Sequence, residues 1–381
     1  MSEQQNIKPL LLRARLQIEE GQHQLALILL EGIGSNDPNE QNEIDYLIGW
    51  CHTLNRSWRD AQNILTQVVK ISEAEEGIEH EDAIDRERRA LCYFKLGKAA
   101  LQLHCYEEAI RHYNKCFKLL NHPKISRSRE QVVCLYGIGT AYLMHGNFKA
   151  AINWYEEARR LGEALEDEKE LANIYYGLCQ AYRRSGNLGE ALHFGEKALY
   201  IYERNAMHVL EGRMHNELGH IAKQLGNFRI ASDHFTDSLA LAVNYNTPKM
   251  VMINNAALAQ VRLAEERFED ARRCCQRALE VIDRVDDAGI CGWTYLTFGQ
   301  VAQKEAEGKE GAQKQHLLEE AVGWFKRSGE NFALTHDDDG KAKLYRHWGN
   351  ALEDLGQTEE AIRCWKRGYE ALSSTPGPTW D

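Results

Sequence analysis

A small residue, a turn position seven residues later and an alanine five beyond that recur down the length of this 381-residue chain. The small position is filled in turn by Ala14, Gly49, Gly97, Gly139, Cys179, Gly219, Ala259, Gly299 and Gly349. The alanines are Ala26, Ala61, Ala109, Ala151, Ala191, Ala231, Ala271, Ala321 and Ala361, twelve residues on in every copy but the eighth. Two antiparallel helices joined by a short turn approach closely only where a side chain is small, and bulky residues then fill the holes beside the contact. Tyr113, Tyr155, Phe235, Phe325 and Trp365 are placed to be those fillers. Composition agrees: 6 prolines and 27% charged residues favour long helices over strands separated by turns.

The fourth copy, YGIGTAYLMHGNFKAAINWYEEA, is the clearest. It puts Gly139 and Tyr142 on one helix, Gly146 at the turn, and Ala151, Tyr155 and Ala158 on the next. This resembles the tetratricopeptide repeat (TPR) family, and the resemblance covers nearly the whole chain. It implies an all-α fold, a right-handed TPR superhelical solenoid of about nine helix-turn-helix repeats. Successive small positions lie 35, 48, 42, 40, 40, 40, 40 and 50 residues apart, against about 34 in the common form of the repeat. Most copies are therefore long. In length and packing they are similar to the repeats of kinesin light chains, mitotic-orientation scaffolds and bacterial regulators that sense peptide pheromones.

Three departures interrupt the register. Residues 71–84 form an acidic insertion between the second and third copies, expected as a helix extension or an exposed loop. In the eighth copy ten added residues precede Ala321, and an expanded turn is expected near residues 305–316, loosened by Gly308 and Gly311. The fifth copy carries Gly195 where a filler is expected, so that Phe194 or a neighbouring helix fills the gap or the groove opens there. Pro9, Pro38, Pro123, Pro248, Pro376 and Pro378 all fall outside the proposed helix interiors. The expected organisation is a leader at 1–9, one continuous array at 10–372 and a tail at 373–381.

A net charge of −11 opposes a nucleic-acid backbone or an anionic membrane as main partner. Every apolar stretch is broken by charge well short of the roughly 20 residues that cross a bilayer, so no membrane insertion is expected. The N-terminal residues lack the apolar core of a secretory signal, which makes a cytoplasmic location the expectation. The ten cysteines are scattered through helical patterns and read as reduced thiols.

No Walker or dinucleotide loop occurs, and the run from His336 to Lys343 reads as helix capping rather than a calcium loop. His112, Cys116 and the nearby Cys105 could present three metal ligands, but Cys116 falls on the packed face of its helix. His215 and His220, five apart, are poorly spaced to share a metal. The expectation is no enzyme, no metal and no cofactor.

In the TPR family the first helix of each pair lines the concave face, and that resemblance places a polar, basic band there. It comprises Asn173, Tyr176, Gln180 and Arg183 from the fifth copy with Arg213, Asn216, His220 and Lys223 from the sixth. Carboxamides pair with the backbone of an extended peptide, while Arg and Lys attract its carboxylates. Tyr46, Trp50, Lys98 and Tyr136 extend the same surface upstream, and Trp293, Gln300 and Arg346 downstream.

The function expected is a non-enzymatic adaptor that binds a polypeptide partner or short peptide in its groove, with self-association left open and no direct nucleic-acid contact. The alternative is a peptide-responsive bacterial regulator acting through a protein partner. Repeats that begin by about Leu10 leave no space ahead of them for a DNA-reading domain or a separate effector bundle, which favours the adaptor.

Overall fold

The computed structural model describes residues 7–74, 83–121, 128–335 and 337–374. Its eighteen α-helices are α1 (Lys8–Glu19), α2 (His23–Glu31), α3 (Pro38–Leu54), α4 (Trp58–Ala74), α5 (Ala83–Gln102), α6 (Tyr106–Leu120), α7 (Ser128–Met144), α8 (Phe148–Ala164) and α9 (Glu168–Arg184), then α10 (Leu188–Arg204), α11 (His208–Gln224), α12 (Phe228–Asn244), α13 (Pro248–Ala264), α14 (Phe268–Leu279), α15 (Ala288–Ala306), α16 (Gly311–Phe332), α17 (Asp338–Asp354) and α18 (Thr358–Ser374). One 3-10 turn, Ile282–Arg284, follows α14. Among the described residues there is no strand, and within each compact unit the helices pair in the register of the sequence pattern. The chain divides into two compact units, Met1–Asn187 and Leu188–Asp381, with the boundary between α9 and α10. In each unit successive helices pack as antiparallel hairpins stacked on their neighbours.

All nine repeat alanines, from Ala26 to Ala361, are completely buried. The small positions of the first helices receive the fillers. A Cβ added at Gly97 would lie 2.9 Å from the Tyr113 ring, one at Gly139 2.7 Å from Tyr155, and one at Gly219 2.6 Å from Phe235. In the second copy an aliphatic side chain does the same work, Leu65 standing 2.6 Å from a Cβ on Gly49. The rings also reach the next hairpin: Cβ atoms on Gly137 and Gly177 would meet Tyr113 at 2.8 Å and Tyr155 at 2.7 Å. Each tyrosine is thus held between glycines of two successive first helices, joining intra-repeat and inter-repeat packing in one contact.

From α7 to α13 every helix has 17 residues and every link has three, so the extra length of a 40-residue repeat is shared equally by its two helices. The links reverse direction through a residue in the left-handed region, which recurs every twenty residues at Gly146, Glu166, Gly186, Ala206, Gly226, Asn246 and Glu266. At the first of these the Gly146 N–H donates to the Leu143 carbonyl at 3.2 Å and the Asn147 N–H to that of Tyr142 at 2.9 Å, the double bond that closes a helix C-terminus. Asn147 then caps α8, its side chain accepting from the Ala150 N–H at 3.1 Å. Pro9, Pro38 and Pro248 occupy first turns, where no amide donor is lost; the remaining prolines lie outside the described residues.

The departures resolve differently. The acidic insertion contributes the last turn of α4 and the first residues of α5, and its residues 75–82 lie outside the described residues, as do most of the leader and the tail. The turn expected to expand at 305–316 is only the four-residue link 307–310; most of the added length enters α16, at 22 residues the longest of the described helices, and most of the rest extends α15. The segment AQKQHLLEE that follows Gly311 is rich in strong helix formers, and Leu317 and Leu318 are buried within it. Phe194 beside Gly195 is itself buried, at 7% exposure.

Three outcomes follow for stability, all measurable by urea denaturation with circular dichroism. Gly139→Ala is expected to destabilise by about 1–3 kcal/mol through overpacking against Tyr155, whereas Gly323→Ala, in α16 with nothing within 4 Å of the added atom, is expected to stabilise by about 0.5–1 kcal/mol. Glu266→Gly, relieving a side chain at φ 59°, is expected to add about 1 kcal/mol.

Candidate functional site

First helices carry the candidate groups, and helical periodicity decides which of them share a face. In α9, Asn173, Tyr176, Gln180 and Arg183 are spaced three, four and three apart and form one stripe. All four are half-buried. The Asn173 amide donates to Glu170 at 3.4 Å, and the Gln180 amide donates to the Tyr176 hydroxyl at 3.1 Å. The stripe combines amide, phenol and guanidinium groups, a donor-rich set suited to backbone carbonyls and carboxylates.

In the second unit the same face is more heavily engaged. Asn216 on α11 is buried at 7% exposure. Its amide donates to Asn254 Oδ1 on α13 at 2.8 Å, Asn254 donates to Ser238 Oγ at 2.8 Å, and Ser238 donates to the Gly212 carbonyl at 2.6 Å. Lys223 donates from Nζ to Gln260 Oε1 at 2.6 Å, and Gln260 donates in turn to Thr297 Oγ1 on α15 at 3.0 Å. These links tie successive first helices together, so Asn216 and Lys223 are inter-repeat contacts. His220 sets its ring edge-on to Phe235, centroids 5.1 Å apart. Arg213 is exposed. The band therefore comprises a half-buried stripe on α9 and, on α11, one exposed arginine, one half-buried histidine and two groups engaged in packing. Because α9 and α11 lie in different units, each half stands as described within its own unit.

The extensions of the band also sort by packing. Tyr46 is buried at 4% exposure and belongs to the core rather than the groove. Its neighbour Trp50 is covered by Lys95, whose Nζ stands 4.1 Å above the indole and 5.9 Å from the Tyr46 ring. Tyr136 packs on Tyr155 with centroids 5.5 Å apart, and Lys98 is exposed. Downstream, Trp293 donates from Nε1 to Asp337 Oδ2 at 2.7 Å, Gln300 is half-buried and Arg346 is exposed. Asp337 also caps α17 through Gly340 N–H at 2.8 Å, as the run of carboxylates there implied. The helix face each residue occupies was legible in the sequence; the partner that each side chain finds on the next repeat was not.

The metal arrangement weighed around His112 does not assemble. His112 Nε2 faces Glu108 at 3.3 Å, Cys105 is exposed and faces the Leu103 carbonyl, and Cys116 Sγ meets Cys134 Sγ at 2.9 Å. His215 is paired not with His220 but with His234 on α12, Nδ1 to Nδ1 at 3.0 Å. The antiparallel return of α12 created this neighbour, which no linear spacing announced.

A family model described as the MalT-like TPR region matches residues 97–287, half of the chain. A tetratricopeptide repeat protein 29 from Trypanosoma brucei brucei (strain 927/4 GUTat10.1) is 25% identical over 187 residues, covering 48% of this chain; the chain spans only 38% of that relative's length. Among solved structures, the apo form of RapI superposes with a TM-score of 0.68 at 14% identity, covering 96% of this chain and 97% of its own. The Rap conjugation gene regulator of plasmid pLS20, solved with a Phr peptide, gives 0.59 at 13% identity, covering 96% and 92%. At these identities the two structures establish likeness of fold. No described helix is long and apolar enough to cross a membrane.

Burial holds the Lys95 ammonium down to about 8 from 10.5. Between those values the unfolded chain binds more protons, so Lys95 opposes folding fully below pH 8 and ceases to do so above pH 10.5. Lys95→Met is expected to raise the unfolding free energy at pH 7, measured by urea denaturation, by on the order of 3 kcal/mol, and to remove that contribution to the rise in stability across this window.

Proposed function

The chain belongs to the MalT-like TPR family, and from that premise we propose that it is a non-enzymatic adaptor recognising an extended polypeptide segment on the first-helix face of its repeats. The observation that carries this reading is the α9 stripe of Asn173, Tyr176, Gln180 and Arg183. It places an amide, a phenol, a second amide and a guanidinium along a single helix face. An extended peptide presents carbonyls and N–H groups at regular intervals, and its side chains and terminus can supply carboxylates. Amides meet the former in both donor and acceptor roles, and a guanidinium meets the latter bidentately. In the second unit Arg213, exposed on α11, is a cationic candidate in its own right. Asn216 and Lys223 contribute indirectly, by fixing the spacing of first helices through Asn254 and Gln260.

A second reading is a peptide-responsive regulator acting through a protein partner. It is favoured by the fold likeness, over 96% of this chain, to a Rap regulator solved with a peptide. A ligand shifts such a protein only by binding two conformations with different affinity. Both readings place the protein in the cytoplasm and put the polypeptide on the same face.

The test is affinity capture from native lysate with the full chain and a Gln180→Ala, Arg183→Glu, Arg213→Glu variant of matched helicity. Asn216 is left intact because its removal would unpair the buried Asn254 and Ser238 groups. Mass spectrometry of retained proteins and of released low-mass species is expected to show one dominant polypeptide lost from the variant. A retained protein supports the adaptor and a short peptide the regulator. Equal capture by both forms would remove the stripe from the recognition surface.

A further inference from the structure

His215 lies midway along α11, and His234 and Asp237 sit three residues apart on α12, one turn of helix on a shared face. The two Nδ1 atoms are 3.0 Å apart, and a carboxylate oxygen of Asp237 completes a set whose ligand atoms all lie within 4.8 Å of one another. A second set meets the first at His215: carboxylate oxygens of Glu203, in the last turn of α10, and Glu211 lie within the same 4.8 Å limit of it and of each other. His208 holds one oxygen of Glu211 at 3.0 Å, leaving that carboxylate's second oxygen as a donor atom. All five residues belong to the second unit.

Two imidazoles and one carboxylate, with two further carboxylates grouped around His215, make a nitrogen and oxygen donor set without thiolate. Such a set suits Zn2+, whose bonds to nitrogen and oxygen are about 2.0–2.2 Å in tetrahedral geometry. Two nitrogens bound that way stand about 3.3 Å apart, so the imidazole pair needs to open by only a few tenths of an ångström. The ligating form of histidine is the neutral one. Burial and the neighbouring imidazole hold His234 below its ordinary value, even though Asp237, Asp233 and Glu196 act in the opposite sense. Two negative carboxylates would balance the charge of the ion.

We propose that His215, His234 and Asp237 form a Zn2+ site, with Glu203 or Glu211 supplying the fourth ligand. Bound there, the ion links the two helices of the sixth hairpin, and where Glu203 is the fourth ligand it also ties that hairpin to α10. The site does not depend on the recognition face proposed above.

The test is calorimetric titration of the chelator-stripped full chain with ZnCl2, repeated with Co2+ as an absorbing probe. Wild type is expected to take up one equivalent, with a Co2+ spectrum of tetrahedral nitrogen and oxygen ligation. His215→Ala and His234→Ala are each expected to weaken binding at least tenfold. Asp237→Asn, at an exposed position where the fold is preserved, is expected to weaken it comparably. His145→Ala, exposed on the first unit, should bind as wild type. Absence of saturable uptake, equal uptake by the His215 and His234 variants, or a thiolate charge-transfer band would overturn the site.

Discussion

A tyrosine ring pressed between two glycines is the contact on which the first unit depends. Tyr155 meets Gly139 of its own hairpin and Gly177 of the next, and Tyr113 meets Gly97 and Gly137 in the same way. Hairpin closure and hairpin stacking are therefore not separate features here. The ring sets how near two first helices can come, and its burial supplies apolar stabilisation that neither helix would gain alone. The second unit uses the same device at Phe332, which stands between Gly292 and Gly340, with Cβ approaches of 2.9 and 2.7 Å. Elsewhere the register survives with other side chains. Ala14 shares a core cluster with Leu30, and Ala259 with Cys275.

Helix length follows from a second regularity, a left-handed residue every twenty positions. Seventeen residues of helix span about 25 Å, and each ends in a closing turn that sends the chain back antiparallel. Glycine fills this position at Gly146, Gly186 and Gly226, but Glu166, Ala206 and Glu266 fill it at a cost in backbone strain. Hydrogen bonding compensates in part: the Glu266 N–H still reaches the Leu263 carbonyl at 3.1 Å and the Arg267 N–H that of Arg262 at 2.9 Å. The turn is dictated by the packing of the helices on either side, and the residue conforms.

Polar residues on the first-helix face serve two ends. Lys223, Gln260 and Thr297 form a chain of hydrogen bonds across three successive first helices, and Asn216 with Asn254 forms another. Such links hold the spacing of the surface on which a polypeptide would lie. A buried amide without its partner would destabilise the stack, so structural use of these residues constrains which of their neighbours remain for recognition. The α9 stripe is the part of the band on which the recognition proposal now rests.

Nearly all of the helix pairing was written in the sequence, because close helix approach demands a small residue and a reversal demands a turn, and both recur at fixed intervals from Ala14 to Ala361. The candidate face was legible too, as a periodic stripe on α9, and so was the capping role of Asp337. Tertiary structure alone decided three matters. It directed seven of the ten extra residues into α16 rather than a loop, since Leu317 and Leu318 find a core there. It moved Tyr46 from the groove into the interior and made inter-repeat contacts of Asn216 and Lys223. It also brought His215 against His234, nineteen residues away. Local periodicity reports which face of a helix a residue occupies, whereas the identity of the group opposite depends on the crossing of two helices, and that is set by every side chain packed between them.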